Sequence, residues 1–276
     1  MNGRNARDGD EPDPGFRRVV RHVEDAVDFE PSYYNEAYLA RRITARMRRR
    51  RVESYDEYLD LLRGDEAERA ELLDALTINV TNFFRNPAMW EALREPLRAL
   101  AAESRRVRAW SAPCADGREP YSLAMLARDD PEIDAERIEI TATDIDEDAL
   151  AAARRGAYET TRTTDVGSEL SPLSEPERYV ERDGNRYEIR ERVKRMVRFE
   201  RHDLIRDGPK GGFDLLMCRN LLIYIDAAYK LPIFETIAAS LRPGGHLVVG
   251  MTESIPRECR DAFEPVEKRR RIYRRV

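Results

Sequence analysis

The stretch RVRAWSAPCADGREPYSLAMLA, residues 106–127, decides the fold class of this 276-residue chain. It opens with a strand-like run (106–112), passes through a turn that contains Gly117, and continues into a helical run (120–127). The same order returns in RIEITATD (137–144) and the helical segment after it. Strands that alternate with helices favour a parallel sheet, so the sequence predicts an α/β fold.

Downstream of these segments the strand pattern continues. A helix is predicted from about Asp226 to Leu241, and Pro243-Gly244-Gly245 is predicted to end it. Asp183-Gly184 lies between alternating segments and indicates a β-hairpin inserted at about residues 178–197. A further hairpin is predicted in the C-terminal run FEPVEKRRRIYRRV. The remaining strand candidates are 197–203, 213–220 and 246–252.

The first third of the chain has a different pattern. Residues 1–14 are polar with Gly and Pro, and we expect a disordered tail. From residue 15 to residue 91, apolar residues recur at spacings of three and four, and Gly64 separates two such runs, which predicts an all-helical domain. The α/β domain is therefore assigned to residues 92–276.

Composition excludes several classes of protein. The 48 basic and 53 acidic residues leave a net charge of −5, which gives no general argument for nucleic-acid binding. Three cysteines and three histidines show no disulfide or metal-ligand spacing, so no metal is expected. No apolar run is long enough to span a membrane and the start lacks a secretory signal, so a cytoplasmic protein without membrane insertion is expected.

Charged residues at the predicted strand ends are the first candidates for a site, because open α/β sheets bind ligands there. Glu119, in the turn after the first strand, could accept from a ligand ammonium, although an ordinary strand–helix turn is the competing interpretation. Asp144 ends the second strand and could hold ribose hydroxyls. The alternative is a helix N-cap, a role that Asp144 and Asp146 could divide.

Three further segments stand out. Arg219 and Asn220 interrupt the apolar run LLMCRNLLIYI, which marks either a site or a structural ion pair. The segment TINVTNFFR (77–85) combines polar residues with two Phe, so it is either part of a site or an aromatic anchor at a helix end. The run 41–51 contains many arginines and is either a solvated face or a docking surface for an acidic partner. The fingerprints GxGxxG, GxSxG and the P-loop are missing, which disfavours dehydrogenases, hydrolases and NTPases.

Taken together, five ordered motifs resemble the CheR family of chemotaxis-receptor protein-glutamate O-methyltransferases. They are TINVTNFFRNP, AWSAPCADGREPYSLA, TATDIDEDAL, FDLLMCRNLLIYID and PGGHLVVGMTES. The resemblance implies a class I S-adenosylmethionine (SAM)-dependent methyltransferase, with a Rossmann-like sheet of seven strands whose last strand is antiparallel. It also implies an N-terminal helical domain and a small β-subdomain.

The resemblance implies a role for individual residues. Glu119 would meet the methionine ammonium of SAM, Asp144 the ribose, and Asp203 with Leu204 the adenine. Arg85 and Tyr224 would position the carboxylate and the cofactor, with Tyr224 close to the methyl group. The other residues expected to bind the cofactor are Asn79, Thr81, Arg219 and Asn220, with Arg85 again among them.

The implied reaction is methylation of glutamate carboxylates on methyl-accepting chemotaxis receptors, with S-adenosylhomocysteine (SAH) as product. A glutamate is ionised at neutral pH, so no general base is required. Arg42, Arg46 and Arg49 are expected to dock the receptor. Arg118 stands where many members are acidic, and Asp203 replaces an Asn seen in some members. The hairpin is short and has a single Gly184, so a pentapeptide tether on the receptor is not expected to be required.

Two alternatives remain open at this stage. One is a methyltransferase that acts on another protein or on nucleic acid. The run Arg219-Asn220-Leu221-Leu222 lacks the Asn/Asp-Pro-Pro-aromatic pattern of amino-methylating enzymes, which disfavours that alternative. The other is a non-catalytic SAM-binding signalling protein that has kept the fold.

Overall fold

The protein consists of two compact units, Met1–Ile78 and Asn79–Val276. The computed structural model describes residues 13–26, 29–76 and 81–276, so most of the expected disordered tail lies outside the described residues. The predicted boundary between residues 91 and 92 falls inside a helix, Pro87–Glu103. That helix belongs to the second unit because its apolar face, including Trp90 and Leu97, joins the core around the sheet.

The first unit is helical, as predicted. Local capping explains two of its helix starts: Asn35 accepts from the N–H of Tyr38, and Ser54 forms a capping box with Glu57. Within the described parts of the chain, no helix combines the length and apolar character needed to cross a bilayer. Among residues 13–26 and 29–76, the helices are α1 (Pro14–Ala26), α2 (Glu36–Arg50), α3 (Tyr55–Gly64) and α4 (Glu66–Leu76).

The part of the second unit that the structure describes is built on ten strands. They are β1 (Val107–Ser111), β2 (Ile138–Asp144), β3 (Ala157–Glu159), β4 (Val180–Asp183), β5 (Arg186–Ile189), β6 (Val197–Arg201), β7 (Phe213–Cys218), β8 (Leu241–Val249), β9 (Phe263–Glu267) and β10 (Ile272–Arg275). Seven of them form one sheet in the order β6-β2-β1-β7-β8-β10-β9. The first five are parallel, whereas β10 is antiparallel to both of its neighbours. The predicted sheet of seven strands with an antiparallel last strand is confirmed.

Six helices accompany these strands: α5 (Pro87–Glu103), α6 (Arg118–Asp129), α7 (Glu147–Arg155), α8 (Val166–Glu169), α9 (Glu191–Lys194) and α10 (Ala227–Ser240). Short 3₁₀ turns occur at Pro31–Tyr33, Ala135–Arg137, Pro176–Arg178, Arg257–Ala262 and Lys268–Arg270. Helix α6 is buried along nearly its whole length, so its first residue is rigidly placed relative to β1 and β2.

One strand starts earlier than predicted. Helix α10 ends at Ser240, and β8 begins directly at Leu241 because this residue pairs with Phe213 of β7. Pro243-Gly244-Gly245 therefore lies inside β8, where the pairing register with β7 shifts. The prediction that these residues end the helix is wrong. They lie at an irregular position of β8, where the register of its pairing with β7 shifts.

The β-subdomain is larger than the predicted hairpin. Strands β4 and β5 pair antiparallel around Gly184, which has a positive φ of 59°, so the hairpin prediction is confirmed. A third strand, β3, pairs with β5 to complete a three-stranded sheet. The pattern did not indicate β3 because three residues are too few to show an alternation.

Candidate functional site

Three neighbouring parallel strands bring polar residues to one edge of the sheet. Strands β2, β1 and β7 are adjacent, and their carboxyl ends carry Asp144, Ser111 and, directly after β7, Arg219. The carboxyl edge of such a sheet is where open α/β folds bind ligands. The residues predicted separately from distant motifs therefore meet at one place.

Glu119 lies in the first turn of α6 and connects β1 with β7. Its Oε1 accepts a hydrogen bond from Ser111 Oγ (2.8 Å), and its Oε2 pairs with Arg219 Nη1 (3.0 Å). Burial raises the pKa of Glu119, and the Arg219 charge and the Ser111 hydroxyl oppose that rise. Each carboxylate oxygen keeps acceptor capacity for a ligand donor.

Arg219 is buried, and it holds two segments together. Besides Glu119, its Nη2 donates to the carbonyl oxygen of Arg85 (2.8 Å) and to Asn86 Oδ1 (2.9 Å). Its guanidinium carbon lies 5.7 Å from the centre of the Trp90 ring. The Nε of Arg219 is buried without a hydrogen-bond partner among the residues described. The ion pair considered from the sequence exists, and it leaves one donor for a ligand.

Asp144 is not the cap of the helix that follows it. Asp146 takes that role by accepting from the N–H groups of Asp148 and Ala149. Asp144 Oδ2 instead accepts from the N–H of Ala115 (2.8 Å), and its Oδ1 accepts from the N–H of Asp146 (3.1 Å). Burial raises the pKa of Asp144 to about 6, although these backbone hydrogen bonds oppose the rise. Asp144 is thus available to a ligand as a buried carboxylate.

The segment before α5 is anchored by its aromatic residues. Phe83 and Phe84 are both buried; their N–H groups donate to Glu169 Oε2 and Ser122 Oγ, each at 2.9 Å. The carbonyl oxygen of Arg85 accepts from Trp90 Nε1 (3.1 Å) as well as from Arg219. The aromatic anchor considered from the sequence is therefore present, and it fixes the segment that contains Thr81 and Arg85 within the second unit. Asn79 lies outside the described residues.

Arg118, the first residue of α6, contacts the segment that contains Thr81. Its Nη1 donates to the carbonyl oxygen of Thr81 (2.8 Å). Its guanidinium carbon lies 4.9 Å from the ring centre of Tyr158 and 5.8 Å from that of Phe83. A basic residue at this position therefore holds the Thr81 segment against α6, which an acidic side chain could not do in the same way.

The loop after β7 is held by Glu253, a residue in the loop after β8 that sequence reasoning missed. Asn220 has a positive φ of 61°, and its N–H donates to Glu253 Oε2 (2.9 Å). Glu253 also accepts from the N–H groups of Leu222 (2.7 Å) and Gly250 (2.6 Å). The available signal was a charge that follows the apolar run of β8, the same kind of interruption that drew attention to Arg219.

The remaining predicted residues occupy the surroundings of this edge. Asp203 Oδ1 accepts from the N–H groups of Ile205 (2.8 Å) and Arg206 (3.2 Å), so it shapes the turn after β6. Leu204 is buried in that turn. Tyr224 is half-buried, and its N–H donates to the carbonyl oxygen of Leu221 (3.0 Å).

Unusual backbone conformations concentrate at this edge. In the described segments, six residues other than glycine have positive φ. Four of them, Phe84, Asn86, Ala115 and Asn220, belong to the loops just described, and Gly117 adds a fifth position at 89°. A Cβ at Gly117 would lie 2.9 Å from the Ala153 Cβ, so the turn requires glycine. Such conformations persist where packing enforces them and are typical of functional sites.

The chemistry available at this edge is that of carboxylates and a guanidinium. Burial strongly raises the pKa of the Cys114 and Cys218 thiols, which keeps them neutral and argues against a thiolate nucleophile. In the described part of the chain, no group of His, Cys, Asp and Glu side chains is arranged to hold a metal ion. The arrangement is suited to binding a polar ligand with ammonium and hydroxyl groups.

Comparison with known proteins shows to which family the chain belongs. Residues 79–272 match the family described as CheR methyltransferase, SAM binding domain, and residues 14–77 match the CheR methyltransferase all-alpha domain. The chain belongs to the CheR methyltransferase family. The predicted resemblance is thereby confirmed, and the boundary between the two matches agrees with the division at Ile78 and Asn79.

Several curated relatives are similar over most of their length. A chemotaxis protein methyltransferase of Listeria monocytogenes is 36% identical over 87% of this chain and 88% of its own. A probable chemotaxis protein methyltransferase of Rhizobium etli is 35% identical over 82% of this chain and 87% of its own. Chemotaxis protein methyltransferase 1 of Pseudomonas aeruginosa is 32% identical over 80% of this chain and 83% of its own.

The residues at the sheet edge fit the SAM cofactor of a CheR methyltransferase. Glu119 and Asp144 keep acceptor capacity for an ammonium and for ribose hydroxyls. The buried Nε of Arg219 is a donor without a partner among the described residues. Cofactor and fold are thus consistent with each other.

The predicted receptor-docking residues lie on α2, and one of them does not fit its expected role. Arg46 is buried; its guanidinium pairs with Glu68 (2.6 Å) and Glu71 (2.9 Å) of α4. Its guanidinium is buried and paired inside the helical unit, so Arg46 cannot contact a partner protein. Arg49 is exposed, whereas Arg42 is half-buried with its guanidinium carbon 5.3 Å from the centre of the Tyr38 ring.

Proposed function

We propose that this CheR methyltransferase transfers the methyl group of SAM to glutamate carboxylates on methyl-accepting chemotaxis receptors. The products are a glutamate methyl ester and SAH. The observation that carries the proposal is the buried Glu119–Arg219 pair beside Asp144, at the carboxyl edge of the sheet, in a chain whose relatives are named chemotaxis protein methyltransferases.

The cofactor is proposed to lie along the ends of β7, β1 and β2. Glu119 would accept from the methionine ammonium and Asp144 from the ribose hydroxyls. The turn after β6 would flank the adenine with Asp203 and Leu204. The other residues proposed to line the cofactor are Asn79, Thr81, Arg85, Arg219 and Asn220.

Position and charge, rather than proton transfer, account for the proposed catalysis. SAM supplies an electrophilic sulfonium methyl when bound. A receptor glutamate is ionised near neutral pH, with a usual pKa of about 4.3, so it attacks in line without a general base. Tyr224 and Arg85 would orient the carboxylate, and the backbone of Arg85 is already held by Arg219 and Trp90. Holding the reacting groups in line and partly desolvated is the main task.

Receptor docking is proposed to use the basic face of α2 that carries the exposed Arg49 and the half-buried Arg42. Arg42 and Arg49 remain in this role, and Arg46 is withdrawn from it because it is buried. Methylation regions rich in glutamate would be attracted to such a face, most strongly at low salt. The turn Gly184-Asn185 between β4 and β5 is short, which supports a receptor encounter without a pentapeptide tether.

The test is transfer of radiolabelled methyl from SAM to receptor-containing membranes, followed by alkaline treatment. Methyl esters release volatile methanol in base, whereas N-methyl groups persist. We expect base-labile label on receptor bands with the wild-type chain and a loss of at least about tenfold with Asp144→Ala. Label on nucleic acid, or on receptors in a base-stable form, would contradict the proposal. Tight SAM binding without transfer to any acceptor would indicate a non-catalytic signalling protein instead.

A further inference from the structure

The C-terminal hairpin carries a basic turn that the roles proposed above leave unused. Strands β9 and β10 pair antiparallel, as predicted, and a 3₁₀ turn, Lys268–Arg270, connects them. We call this segment the basic turn. Lys268 and Arg269 are exposed, and Arg270 is half-buried. Within the part of the chain that the structure describes, none of the three side chains forms an ion pair.

The backbone of the basic turn is held in place although its side chains are accessible. Arg271, the next residue, has a positive φ of 60°. Its carbonyl oxygen accepts from the N–H of Val249 at the end of β8 (3.2 Å), and its Nε donates to the carbonyl oxygen of Met251 (3.1 Å). Arg271 therefore fixes the turn against β8 and the loop after it, while Lys268 and Arg269 remain exposed to a partner.

The carboxylates around the basic turn do not cancel its charge. Residues 263–276 hold six basic and two acidic side chains, and α5, which lies against the turn, holds two basic and three acidic ones. Glu253, in the loop after β8, adds one negative charge. The acidic residue next to the turn, Glu267, accepts from the N–H of Arg269 (3.1 Å) and caps the turn. The balance stays positive, and the exposed cations carry it.

The basic turn lies at the same edge of the sheet as the candidate site. Strand β10 is antiparallel to β8, and Ile272 pairs with Val248, so the residues before Ile272 lie beyond the carboxyl end of β8. The cofactor is proposed to lie along β7, β1 and β2, whereas β8, β10 and β9 follow on the other side of β7. Neighbouring strands are about 4.8 Å apart, which places the turn roughly 10–15 Å from the end of β7. The half of the edge that the cofactor leaves open therefore carries the basic turn.

We propose that the basic turn docks a glutamate-rich segment of the receptor while another glutamate of that segment reacts at the end of β7. In a helical segment, a glutamate two turns from the reacting one lies about 11 Å along the axis, which matches the distance from β7 to the turn. Exposed cations attract such a segment most strongly at low salt. The inference rests on the proposed function and adds a contact on the second unit to the one proposed on α2.

The test measures transfer of radiolabelled methyl to receptor-containing membranes at varied receptor concentration. The variant carries Lys268→Glu and Arg269→Glu together. We expect its apparent KM for receptor to rise about tenfold at low salt and less at high salt, with kcat and SAM affinity within about twofold of wild type. The matched control carries Arg105→Glu and Arg106→Glu, which reverse two exposed charges just before β1, at the opposite edge of the sheet. The control is expected to keep the wild-type KM.

A second pair of variants separates the charge of the turn from its shape. Lys268→Arg with Arg269→Lys keeps both charges and is expected to keep the KM within about twofold of wild type. Lys268→Gln with Arg269→Gln removes both charges and is expected to raise the KM about threefold. An equal rise in these two variants would assign the effect to the shape of the turn and overturn the proposal. Equal KM values for the charge reversal and its control would overturn it as well.

Receptor membranes also contain lipid, so binding of the turn to lipid is measured separately. The wild type and the charge-reversed variant are sedimented with receptor-free vesicles of phosphatidylglycerol and phosphatidylethanolamine. We expect both to sediment to the same extent, and a loss confined to the variant would overturn the proposal in favour of a lipid contact. Absence of base-labile label with the wild type would overturn the proposed function and this inference with it. A wild-type KM in the charge-reversed variant would overturn this inference alone.

Discussion

At the residue scale, burial raises the pKa of Asp144, which its position in the sequence did not reveal. Its pKa is raised to about 6 mainly because the carboxylate is desolvated. In the free protein, ionised Asp144 therefore destabilises the folded state at neutral pH. This destabilisation disappears as the pH falls from about 6 toward the usual aspartate pKa, because the carboxyl becomes protonated. Ligand binding should depend on pH in the opposite direction.

The first prediction is a pH dependence of cofactor affinity. Ribose hydroxyls donate to the ionised Asp144, so SAM affinity should fall as the pH drops through about 6, by up to about tenfold per pH unit. Asp144→Asn should bind SAM more weakly at neutral pH and show a flatter profile. Calorimetric titrations between pH 5 and 8, at roughly half-unit steps, measure both. If the SAM affinity of Asp144→Asn depended on pH as steeply as that of the wild type, the titrating group would be a different residue.

The second prediction concerns Tyr224. If this residue aligns the reactants without moving a proton, Tyr224→Phe should lower kcat by roughly tenfold and leave the shape of the pH profile unchanged. The matched control is Tyr229→Phe on α10, which should leave kcat near the wild-type value. A basic limb that is present in wild type and lost in Tyr224→Phe would show that the hydroxyl takes part in proton transfer.

At the element scale, the packing of α2 against α4 decides which arginines are structural. Arg46 donates from Nε and Nη2 to both oxygens of Glu68, at 3.0 and 2.6 Å, and Tyr58 donates to the same carboxylate at 2.8 Å. Burial, with the hydrogen bond to Glu68 second, raises the pKa of Tyr58. Glu68 is completely buried, so removing Arg46 would leave its carboxylate with only the longer ion pair to Arg50 Nε (3.5 Å).

The third prediction is therefore one of stability. Arg46→Ala should lower the free energy of unfolding of the helical unit by about 3 kcal/mol, because the buried Glu68 loses both hydrogen bonds from Arg46 and keeps only the 3.5 Å ion pair to Arg50. The exposed Arg49→Ala should change it by no more than about 0.5 kcal/mol. Urea unfolding of the full chain, followed by circular dichroism, provides the comparison. Similar values for the two variants would show that the Arg46–Glu68 pair adds little.

At the scale of the whole molecule, the two units have separate tasks in the proposed function. The cofactor site is built from residues of the second unit, and the exposed arginines of α2 belong to the first. Substitutions on α2 should therefore act on the receptor encounter and spare cofactor binding.

The fourth prediction tests this division of tasks. Arg49→Glu should raise the apparent KM for receptor roughly three- to tenfold at low salt and less at high salt, because exposed charges are screened. SAM affinity should stay at its wild-type value. Arg63→Glu, the same charge reversal on α3, is the control because Arg63 is also exposed. An equal rise in KM for the two variants would point to net charge rather than to a docking face.

Much of the architecture and the family followed from sequence alone. Periodicity and turn residues predicted the α/β order, the helical N-terminal region and the Asp183-Gly184 hairpin, because each depends on local conformational preference. The motifs that carried the family resemblance also predicted SAM as cofactor. Where the local signal was weak or ambiguous, the predictions were incomplete: β3 was missed, and Pro243-Gly244-Gly245 was assigned to a helix end although it lies in β8.

Tertiary structure alone decided the partners of the charged residues. The sequence presents Arg42, Arg46 and Arg49 as equivalent, yet only Arg46 faces a buried carboxylate across two packed helices. Likewise, the pairing of Arg219 with Glu119 and the hydrogen bonds that Glu253 accepts from the N–H groups of Asn220 and Leu222 join segments far apart in the chain. Burial and pairing depend on which segments meet in space, and local sequence patterns carry no record of such long-range contacts.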